Sequence, residues 1–451
     1  MSQKHLHSIH VSHYKHTAGC ATEVMPIPDV VKISMSQHIG APCKPLVQKG
    51  DYVKVGQLIG DTDAFVSAPI HSSVSGTVKG LEEQRSAMGG TDTLVVIETD
   101  KKQEVYEGIT VPEANDLPEF IKAIRASGLV GLGGASFPTH IKFNPKNIDE
   151  VHTLIVNAAE CEPFITSDHR LMLEDAEDLI AGCQLLMKFI GLDEGYIGIE
   201  ENKPDAIEHL DKLIAAKGIT NLKTFKLQAR YPKGAERVLL YEITGKTMNA
   251  GEIPAQHGVI LSNVTTIAFV GQYFRTGMPL IQKRMTVDGD AVATPKNVMA
   301  PIGTQICDVI EFCGGYKEEP KKILMGGPMM GLAQYNLDVT VGKGTGAMLA
   351  FAGDEEQYEE HPQCIRCGKC VGVCPMRLEP VFMYKYLMKG DVDTWQNTLH
   401  GMDCIECGAC AYTCPARLPL THAFRMGKQK VNNARMAAKA KAEAEKAAAE
   451  K

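Results

Sequence analysis

A pair of cysteine-rich runs constrains this chain more than any other feature of its sequence. The runs lie forty residues apart and share the spacing C-x2-C-x2-C-x3-C-P; their cysteines are Cys364, Cys367, Cys370 and Cys374, and Cys404, Cys407, Cys410 and Cys414. A tight loop with a cysteine at every third position brings three soft thiolates onto one small iron–sulfur cube. A pair of zinc ribbons is the alternative, but zinc sites seldom need a third and a fourth cysteine at these spacings. The runs therefore predict two iron–sulfur clusters.

The double run resembles that of the bacterial two-cluster ferredoxins, in which the fourth cysteine of each run binds the cluster of the other run. The resemblance assigns one [4Fe–4S] cluster to Cys364, Cys367, Cys370 and Cys414, and the other to Cys404, Cys407, Cys410 and Cys374. We expect a helical two-cluster ferredoxin domain over residues 353–426, in which Gly368 and Gly408 relieve crowding around the clusters. Two adjacent clusters conduct electrons, so the rest of the chain should supply or accept them.

Composition excludes some classes of function. A chain of 451 residues is long enough for three or four domains. Its net charge of −7 argues against nucleic acid as a partner. The six other cysteines lack metal-ligand spacing, and free thiols beside oxygen-sensitive clusters indicate a reducing, cytosolic compartment. The first twenty residues have no apolar core typical of a signal peptide, and the uncharged run 253–274 is too polar for a membrane span.

The region 30–104 consists of short β-prone runs separated by Gly and Pro. Its phrases KPLVQKGDYVKVGQLIG and APIHSSVSGTV resemble the turns of lipoyl and biotinyl domains, which are flattened β-barrels. A lipoyl domain presents a lysine for modification at the tip between its two halves. Here the tip has the sequence DTDAFVS, without lysine, so we interpret the domain as a structural or docking barrel and not as a swinging-arm carrier.

Residues 105–278 have the alternating pattern of an open α/β sheet. A helix begins at Asp116, and strands at 153–157, 196–200 and 222–229 alternate with helices to form a βαβαβ unit. Ligands bind at the carboxyl ends of strands in such sheets. Three loops, 157–163, 200–203 and 231–237, are predicted to lie at that edge. If Glu200 and Glu201 face a nicotinamide ribose there, they disfavour the 2′-phosphate of NADPH.

The remaining segments differ in composition from these two regions. Residues 279–352 have short strands, one helix at 305–312 and two glycine-rich stretches, which predict a β-grasp domain of the SLBB kind. An acidic linker, DEEQYEEHP, precedes the ferredoxin domain. The His-rich start, residues 1–29, is interpreted as an exposed tail, and the Ala/Lys/Glu-rich end, residues 427–451, as a solvated, fraying helix or a disordered segment. The sequence thus predicts a multidomain α/β and α+β chain.

A glycine-rich stretch, GLVGLGGASFPTHIKF, lies near the start of the α/β region. It is not the G-x-G-x-x-G fingerprint of dinucleotide-binding folds, and by pattern alone it is either a cofactor loop or a tight turn. Together with NAAECEPFITSDHR further on, it resembles the flavin site of the NADH-binding subunit of respiratory complex I and of related hydrogenases. With the barrel, the β-grasp region and the two-cluster ferredoxin, residues 30–425 closely resemble the C subunits of Rnf electron transport complexes.

The resemblance implies that FMN lies in the glycine-rich loop with NADH stacked above it. The residues carried over are Gly131, Gly133, Gly134, Phe137, Lys142, Asn157, Glu160, Glu162 and Asn263. It also implies membership of a membrane-bound ferredoxin:NAD⁺ oxidoreductase complex, on the cytoplasmic side of the cell membrane. The partners would include an iron–sulfur subunit, a membrane flavoprotein and, indirectly, ferredoxin. A flavin is the required converter, because NAD(H) exchanges two electrons as hydride and a cluster handles one at a time.

Two alternatives to an Rnf-type subunit remain open. One is a soluble flavo-iron–sulfur reductase of similar architecture, such as the cobalamin reductase of bacterial microcompartments. The other is a relay that passes electrons only through its clusters, because Leu132 and Ala159 stand where the flavin-site pattern has Arg and Asp. Purified protein with iron and sulfide but no flavin would distinguish the relay. No acid–base residue is nominated, since hydride transfer needs none.

Overall fold

The computed structural model describes residues 6–85, 90–353 and 362–449. The chain divides into two compact units. The larger comprises Ser12–Ala229 with Ile253–Asp354, and the smaller comprises Met1–Val11, Arg230–Glu252 and Glu355–Lys451. Within the described residues, no helix combines the length and the apolar character that crossing a bilayer requires. The predicted acidic linker lies outside the described residues except for Pro362.

The larger unit begins with a flattened barrel of two small antiparallel sheets, as the sequence predicts. The first strands of the chain are β1 (Thr22–Val24), β2 (Val30–Ser34), β3 (Lys44–Pro45), β4 (Tyr52–Val53), β5 (Leu58–Asp61), β6 (Ile70–His71), β7 (Gly76–Arg85) and β8 (Thr91–Thr99). One sheet has the order β2-β8-β7-β4 and the other β3-β5-β6. Alternate residues of β2, Val31 and Ile33, are fully buried, which is the period-two pattern of a half-buried strand.

The α/β region forms a four-stranded parallel sheet. Its strands are β9 (Thr153–Ala158), β10 (Glu194–Glu200), β11 (Leu222–Leu227) and β12 (Val259–Asn263), in the order β11-β10-β9-β12. Its helices are α1 (Leu117–Ala126), α2 (Thr139–Lys142), α3 (Ser167–Glu174), α4 (Ala176–Ile190), α5 (Pro204–Ala216) and α7 (Val264–Thr276), with short 3-10 turns at Ile148–Glu150 and Pro254–His257. Asp116 caps α1 by accepting a hydrogen bond from the Glu119 N–H, 2.9 Å away.

Strand β12 is the element of this sheet that the sequence did not reveal. It lies in the uncharged run whose polarity argues against a membrane span, and it pairs in parallel with β9. The register places Asn263, its last residue, directly beside Asn157. Sheet order is a long-range property, and only the fold shows that these two asparagines are neighbours.

The β-grasp-like region has a six-stranded sheet with the order β1-β14-β13-β17-β15-β16. Its own elements are β13 (Gln282–Asp288), β14 (Lys296–Pro301), α8 (Ile306–Phe312), β15 (Lys322–Met325), β16 (Leu332–Ala333) and β17 (Ala347–Phe351). The edge strand β1 comes from the N-terminal stretch and pairs in parallel with β14. This corrects the expectation of an exposed tail for this stretch, because main-chain pairing and the burial of Met25 hold it on the sheet.

The smaller unit is helical and built as a repeat. Its helices are α6 (Glu236–Thr244), α9 (Lys369–Gly372), α10 (Pro380–Met388), α11 (Val392–Asn397), α12 (Ala409–Tyr412) and α13 (Leu420–Ala449), with a 3-10 turn at Gly401–Asp403. Helices α9 and α12 each follow a glycine in the left-handed conformation, Gly368 and Gly408. The end of the chain is helical, which is one of the two states predicted for it. Phe424 and Val431 on α13 are buried, whereas residues 432–442 are exposed.

Segment 230–252 also belongs to the smaller unit. The sequence pattern predicts that loop 231–237 lies at the edge of the parallel sheet; the structure groups this loop with the helical unit. Lys233 is buried in an ion pair with Glu242, at 2.5 Å, and Arg237 pairs with Asp403 beside the second cysteine run. Lys233 and Arg237 therefore form ion pairs with other residues of the helical unit.

Candidate functional site

The two cysteine runs enclose two separate cavities. One is lined by Cys364, Cys367, Cys370 and Cys414. The other is lined by Cys374, Cys404, Cys407 and Cys410. Each cavity thus takes three thiols from one run and the fourth from the other, which is the crossed arrangement predicted for the ferredoxin-like clusters.

The geometry of the thiols favours a cluster over a single zinc ion. In the described parts of the chain, no group of three or more His, Cys, Asp or Glu side chains is arranged to hold one metal ion. The thiols instead line a cavity whose other walls are mainly apolar, among them Leu378, Ile405 and Phe424. A cube with an iron at alternate corners needs four thiolates spread around it, so the residues present fit a [4Fe–4S] cluster better than a Zn²⁺ ion.

Backbone donors point at the sulfur atoms. The N–H groups of Arg366 and Glu406 donate to Cys364 and Cys404, each at 3.4 Å. Both donors have positive φ angles, 59° and 56°, in a region that residues with a Cβ rarely adopt. Such N–H···S bonds stabilise thiolate charge and raise cluster potential. The hydrogen bonds to sulfur therefore offset the backbone strain at Arg366 and Glu406.

Burial differs between the two cages. Cys364 and Cys367 are exposed, whereas Cys407 is buried. Burial raises the pKa of Cys407 to about 12, so iron has to displace the proton when a cluster is assembled. The phenol of Tyr231 donates a hydrogen bond of 2.6 Å to the Cys407 carbonyl. Sequence reasoning missed this support, because it assigned Tyr231 to the sheet edge.

The glycine-rich loop is fixed on the N-terminal end of α7. The Gly131 N–H donates to the Phe137 carbonyl at 2.9 Å, which closes the loop. The Leu132 N–H donates to the Thr266 hydroxyl at 2.9 Å. A Cβ on Gly133 would lie 2.5 Å from the side chain of Asn263, whereas one on Gly134 would meet no atom within 4 Å. The loop is thus anchored up to Gly133 and open at Gly134.

Asn263 and Asp168 organise the carboxyl end of the sheet. The Asn263 Oδ1 atom caps α7 by accepting the Thr265 N–H at 2.9 Å, and its Nδ2 donates to Asp168 Oδ2 at 2.8 Å. The other Asp168 oxygen accepts from the Thr265 hydroxyl at 2.6 Å. Asn157 lies beside Asn263, and its Oδ1 accepts the Ala159 N–H at 3.2 Å. Asp168 was not among the predicted site residues, and no sequence signal distinguished it from other helix-start carboxylates.

The loop that carries Glu160 and Glu162 is held by its side chains. The buried carboxylate of Glu160 accepts the N–H groups of Asp168 and His169, at 2.7 and 3.3 Å. Burial raises the pKa of Glu160 to about 7, against the opposing charge of Lys15. Glu162 accepts the Met329 N–H at 3.0 Å. Glu160 is buried and Glu162 is half-buried, so both side chains are held against the protein.

Two further glycine-rich stretches meet this site. A Cβ on Gly327 would lie 2.2 Å from the Glu162 carboxylate, and one on Gly344 would lie 2.5 Å from the Ser136 hydroxyl. In the sequence alone, both stretches are glycine-rich segments that precede the acidic linker, and nothing links them to this site. These close approaches place the glycine-rich stretches against Glu162 and Ser136, so the β-grasp-like region forms one wall of the site.

Four further residues from the sequence analysis are Phe137, Lys142, Glu200 and Glu201. Phe137 is half-buried in the loop, and Lys142 ends the short helix α2 and is half-buried. Glu200 is fully buried and paired with Lys203 at 2.6 Å. The hypothesis that Glu200 faces a ribose is therefore corrected, because its carboxylate is enclosed with a lysine. Glu201 is exposed, and its carboxylate accepts the Ala229 N–H at 3.5 Å.

Comparison with known proteins agrees with this architecture. Four family models match: an RnfC barrel sandwich hybrid domain at residues 4–102, a Nuo51 FMN-binding domain at 124–272, an SLBB domain at 284–333 and a 4Fe-4S dicluster domain at 356–415. The C subunit of the Na⁺-translocating ferredoxin:NAD⁺ oxidoreductase complex of Acetobacterium woodii is 42% identical over 407 residues, 90% of this chain and 91% of the relative. This chain belongs to the family of Rnf C subunits.

Other Rnf relatives give the same result. The C subunit of the proton-translocating ferredoxin:NAD⁺ oxidoreductase complex of Clostridium ljungdahlii is 43% identical over 81% of this chain and 80% of its own length. The C subunit of an ion-translocating oxidoreductase complex of Rhodobacter capsulatus is 38% identical over 85% and 75%. The predicted four-domain fold, FMN and the 4Fe–4S clusters are confirmed for this member of the Rnf family.

A solved structure shares part of the fold. The NAD⁺-reducing [NiFe]-hydrogenase in the H2-reduced state matches with a TM-score of 0.50 and 19% identity over 69% of this chain. The match spans 60% of that hydrogenase chain, so this Rnf-family chain covers less than two thirds of its structural neighbour. At this identity the likeness concerns the fold alone.

The residues of this Rnf-family chain fit FMN in the site described. The backbone at Gly134 is open, as a flavin approaching the loop requires. The side chain of Lys283, on β13, is 3% exposed, and its ammonium makes no hydrogen bond or ion pair with any described residue. Burial lowers its pKa to about 8, against the opposing charge of Asp168. A buried cation that makes no direct hydrogen bond is costly, so an anionic group such as a flavin phosphate would complete the site.

Proposed function

We propose that this chain is the NAD(H)-interacting electron-transfer subunit of an ion-translocating ferredoxin:NAD⁺ oxidoreductase complex. One observation carries the proposal: the same chain has a glycine-rich loop at the edge of a parallel sheet, with the buried Lys283 as a binding group for an anion, and two cavities that are each lined by four thiols. The names of the relatives from Acetobacterium woodii and Clostridium ljungdahlii support the same activity.

The residues proposed for the two clusters are those that line the two cavities. One set is Cys364, Cys367, Cys370 and Cys414, and the other is Cys374, Cys404, Cys407 and Cys410. The residues proposed for the flavin and nicotinamide site are Gly131, Gly133, Gly134, Phe137, Lys142, Asn157, Glu160, Glu162 and Asn263, to which we add Lys283. The anchored loop and the shared Asn263–Asp168 contact keep the site formed before a cofactor enters, which lowers the cost of binding.

FMN supplies the exchange between hydride chemistry and single-electron transfer. The protein's own part is to hold ring and phosphate, to exclude water and to fix the nicotinamide. The glycine backbone permits close approach, while the buried carboxylate of Glu160 keeps the adjoining loop in place through α3. No side chain is needed as an acid or base for hydride transfer, and none is proposed.

We further propose that the chain reaches the membrane through other subunits, on its cytoplasmic side. The proposed partners are an iron–sulfur subunit and a membrane flavoprotein, with ferredoxin as an indirect partner. The relatives' names describe subunits of ion-translocating complexes, which supports this attachment. Salt-washed membranes from cells that express the chain with and without the other subunits would test it: retention in both cases, or in neither, contradicts the proposal.

The decisive experiment uses the full chain expressed anaerobically. We expect about one FMN and about eight iron atoms per chain, with both chromophores bleached by NADH. Clusters without flavin and without a response to NADH would refute the NAD(H) role and leave an electron relay on a flavoprotein scaffold. Reduction of a cobalamin at a rate matching that of ferredoxin would instead favour a soluble reductase.

A further inference from the structure

The ammonium group of Lys15 lies at the centre of the loop that carries Glu160 and Glu162. Its Nζ atom donates to the carbonyls of Glu160 and Glu162, each at 2.8 Å, and to the carbonyl of Ile165. An ammonium has three protons, so these three carbonyls use all of them. Three carbonyl dipoles that converge on one point repel each other, and a cation between them removes that repulsion.

The segment around Lys15, residues 12–25, is anchored on both sides, and we call it the N-terminal strap. The Phe164 N–H donates to the His13 carbonyl at 2.9 Å, and the ring of Phe164 stacks on that of Tyr14 with centroids 5.1 Å apart. On the other side, Asn297 donates to the Thr17 carbonyl at 2.9 Å. The strap therefore ties the glutamate loop to the sheet of the β-grasp-like region.

We propose that Lys15 is a positioning residue for the flavin site, which holds the backbone of residues 160–165 so that Glu160 and Glu162 keep their places. The proposal rests on the proposed function, because the loop is taken to be part of a flavin site. Side-chain contacts to α3 and to Met329 fix the two glutamates at their tips, and the strap fixes them at the backbone. Nothing in the motif of the loop itself indicates this dependence on a segment 145 residues away.

Electrostatics add to the positioning. The charge of Lys15 opposes the rise that burial causes in the Glu160 pKa. Burial lowers the pKa of Lys15 itself, with Glu160 and Glu200 acting to raise it and Lys203 to lower it. Removal of the ammonium would thus leave Glu160 more fully protonated at neutral pH and alter the charge beside the flavin.

The test is Lys15→Met in the full chain, with Lys79→Met as the matched control. Methionine keeps much of the length of lysine and removes the three donors, while Lys79 is an exposed residue of β7 that pairs with Glu98. We expect the Phe164 amide to exchange hydrogen at least tenfold faster in Lys15→Met, FMN to dissociate at least tenfold more readily, and the flavin midpoint potential to shift. The global unfolding midpoint and all readouts of the control should match the wild type.

Three outcomes would overturn the proposal. Unchanged exchange and FMN affinity would show that the loop does not depend on Lys15. Faster exchange with unchanged FMN affinity and potential would show a structural role alone. If Lys15→Met does not fold, Lys15→Gln replaces it, since glutamine is polar but lacks the charge and the three donors of the ammonium; an unchanged Phe164 amide and unchanged FMN affinity in that variant would likewise refute the proposal.

The proposed function can fail separately from this inference. If the wild type binds no FMN, the function proposed above is wrong, and the exchange rate of Phe164 in Lys15→Met still shows whether the strap holds the loop. If the wild type binds FMN and Lys15→Met binds it equally well, only the positioning role is wrong.

Discussion

Gly133 and Gly134 provide a matched pair that tests why the proposed flavin loop is rich in glycine. Neither residue has a positive φ angle, so alanine adds no backbone strain of that kind at either position. A Cβ at Gly133 would lie 2.5 Å from Asn263, whereas a Cβ at Gly134 meets nothing within 4 Å. Gly133→Ala should therefore disturb the apo-protein, while Gly134→Ala should be silent until a cofactor approaches.

The size of the effect follows from the contacts that Asn263 would lose. Its cap on α7 is worth about 1 kcal/mol. Its hydrogen bond to the Asp168 carboxylate is worth about 1.5–3 kcal/mol. Displacement of Asn263 should thus cost about 2.5–4 kcal/mol locally, which corresponds to opening of the first turn of α7 at least about 60-fold more often.

Hydrogen exchange at the Thr265 amide of the apo-protein measures that opening directly. We expect acceleration in Gly133→Ala, none in Gly134→Ala, and weaker FMN binding in both. Equal exchange in the two apo-variants would refute this reasoning, because Asn263 would then accommodate the methyl group at no cost. Unchanged FMN affinity in Gly134→Ala would show that the flavin does not approach the loop at its open position.

Three shorter predictions concern titration and ligand assignment. The pKa of Glu160 is about 7 in the folded state, above its ordinary value of 4.5, so between these pH values the folded state binds a proton that the unfolded state does not, and the free energy of unfolding falls as pH rises through 7. Glu160→Gln should flatten this pH dependence in unfolding midpoints measured from pH 5 to 8. The same slope of midpoint against pH in variant and wild type would contradict the assignment. Lys283→Met should weaken FMN binding about tenfold at constant iron content, a loss typical of one charged hydrogen bond. Because the pKa of Lys283 is lowered to about 8, the affinity of the wild type for FMN should fall as pH rises past 8, whereas the affinity of the variant should not. Cys374→Ser should abolish the cluster of Cys404, Cys407 and Cys410, and Cys414→Ser should abolish the cluster of the first cysteine run. Each variant should contain about four iron atoms where the wild type contains about eight. Electron paramagnetic resonance that shows the reverse pairing would disprove the crossed ligation.

Local patterns predicted most of the elements. The helix over Pro204–Ala216 matches its prediction, and the Asp116 cap forms as expected. These features depend on capping and hydrophobic periodicity, which neighbouring residues determine. The pairing of strand β12 beside β9 was missed, because nothing in a five-residue apolar run encodes its partner.

The contacts that hold the candidate site together were mostly not visible in the sequence. The resemblance nominated Glu160 and Glu162 as site residues, but the sequence did not show that Lys15 contacts their backbone or that Gly327 approaches Glu162. It placed Lys233 and Glu200 on an open edge, whereas both are buried in ion pairs. A charged residue is usually exposed, so sequence alone favours water as its partner, and only packing reveals a buried counter-charge.

The sequence by itself determined the chemistry that this chain can perform. The spacing of eight cysteines specifies two clusters, because thiolates three residues apart on one loop reach the same cube whatever surrounds them. Tertiary structure alone decided how the proposed flavin site is built, with a strap from the N-terminus, a wall from the β-grasp-like region and asparagines from two strands. The physical reason is that a ligand loop is a local object, whereas a preorganised pocket depends on contacts between residues far apart in the chain.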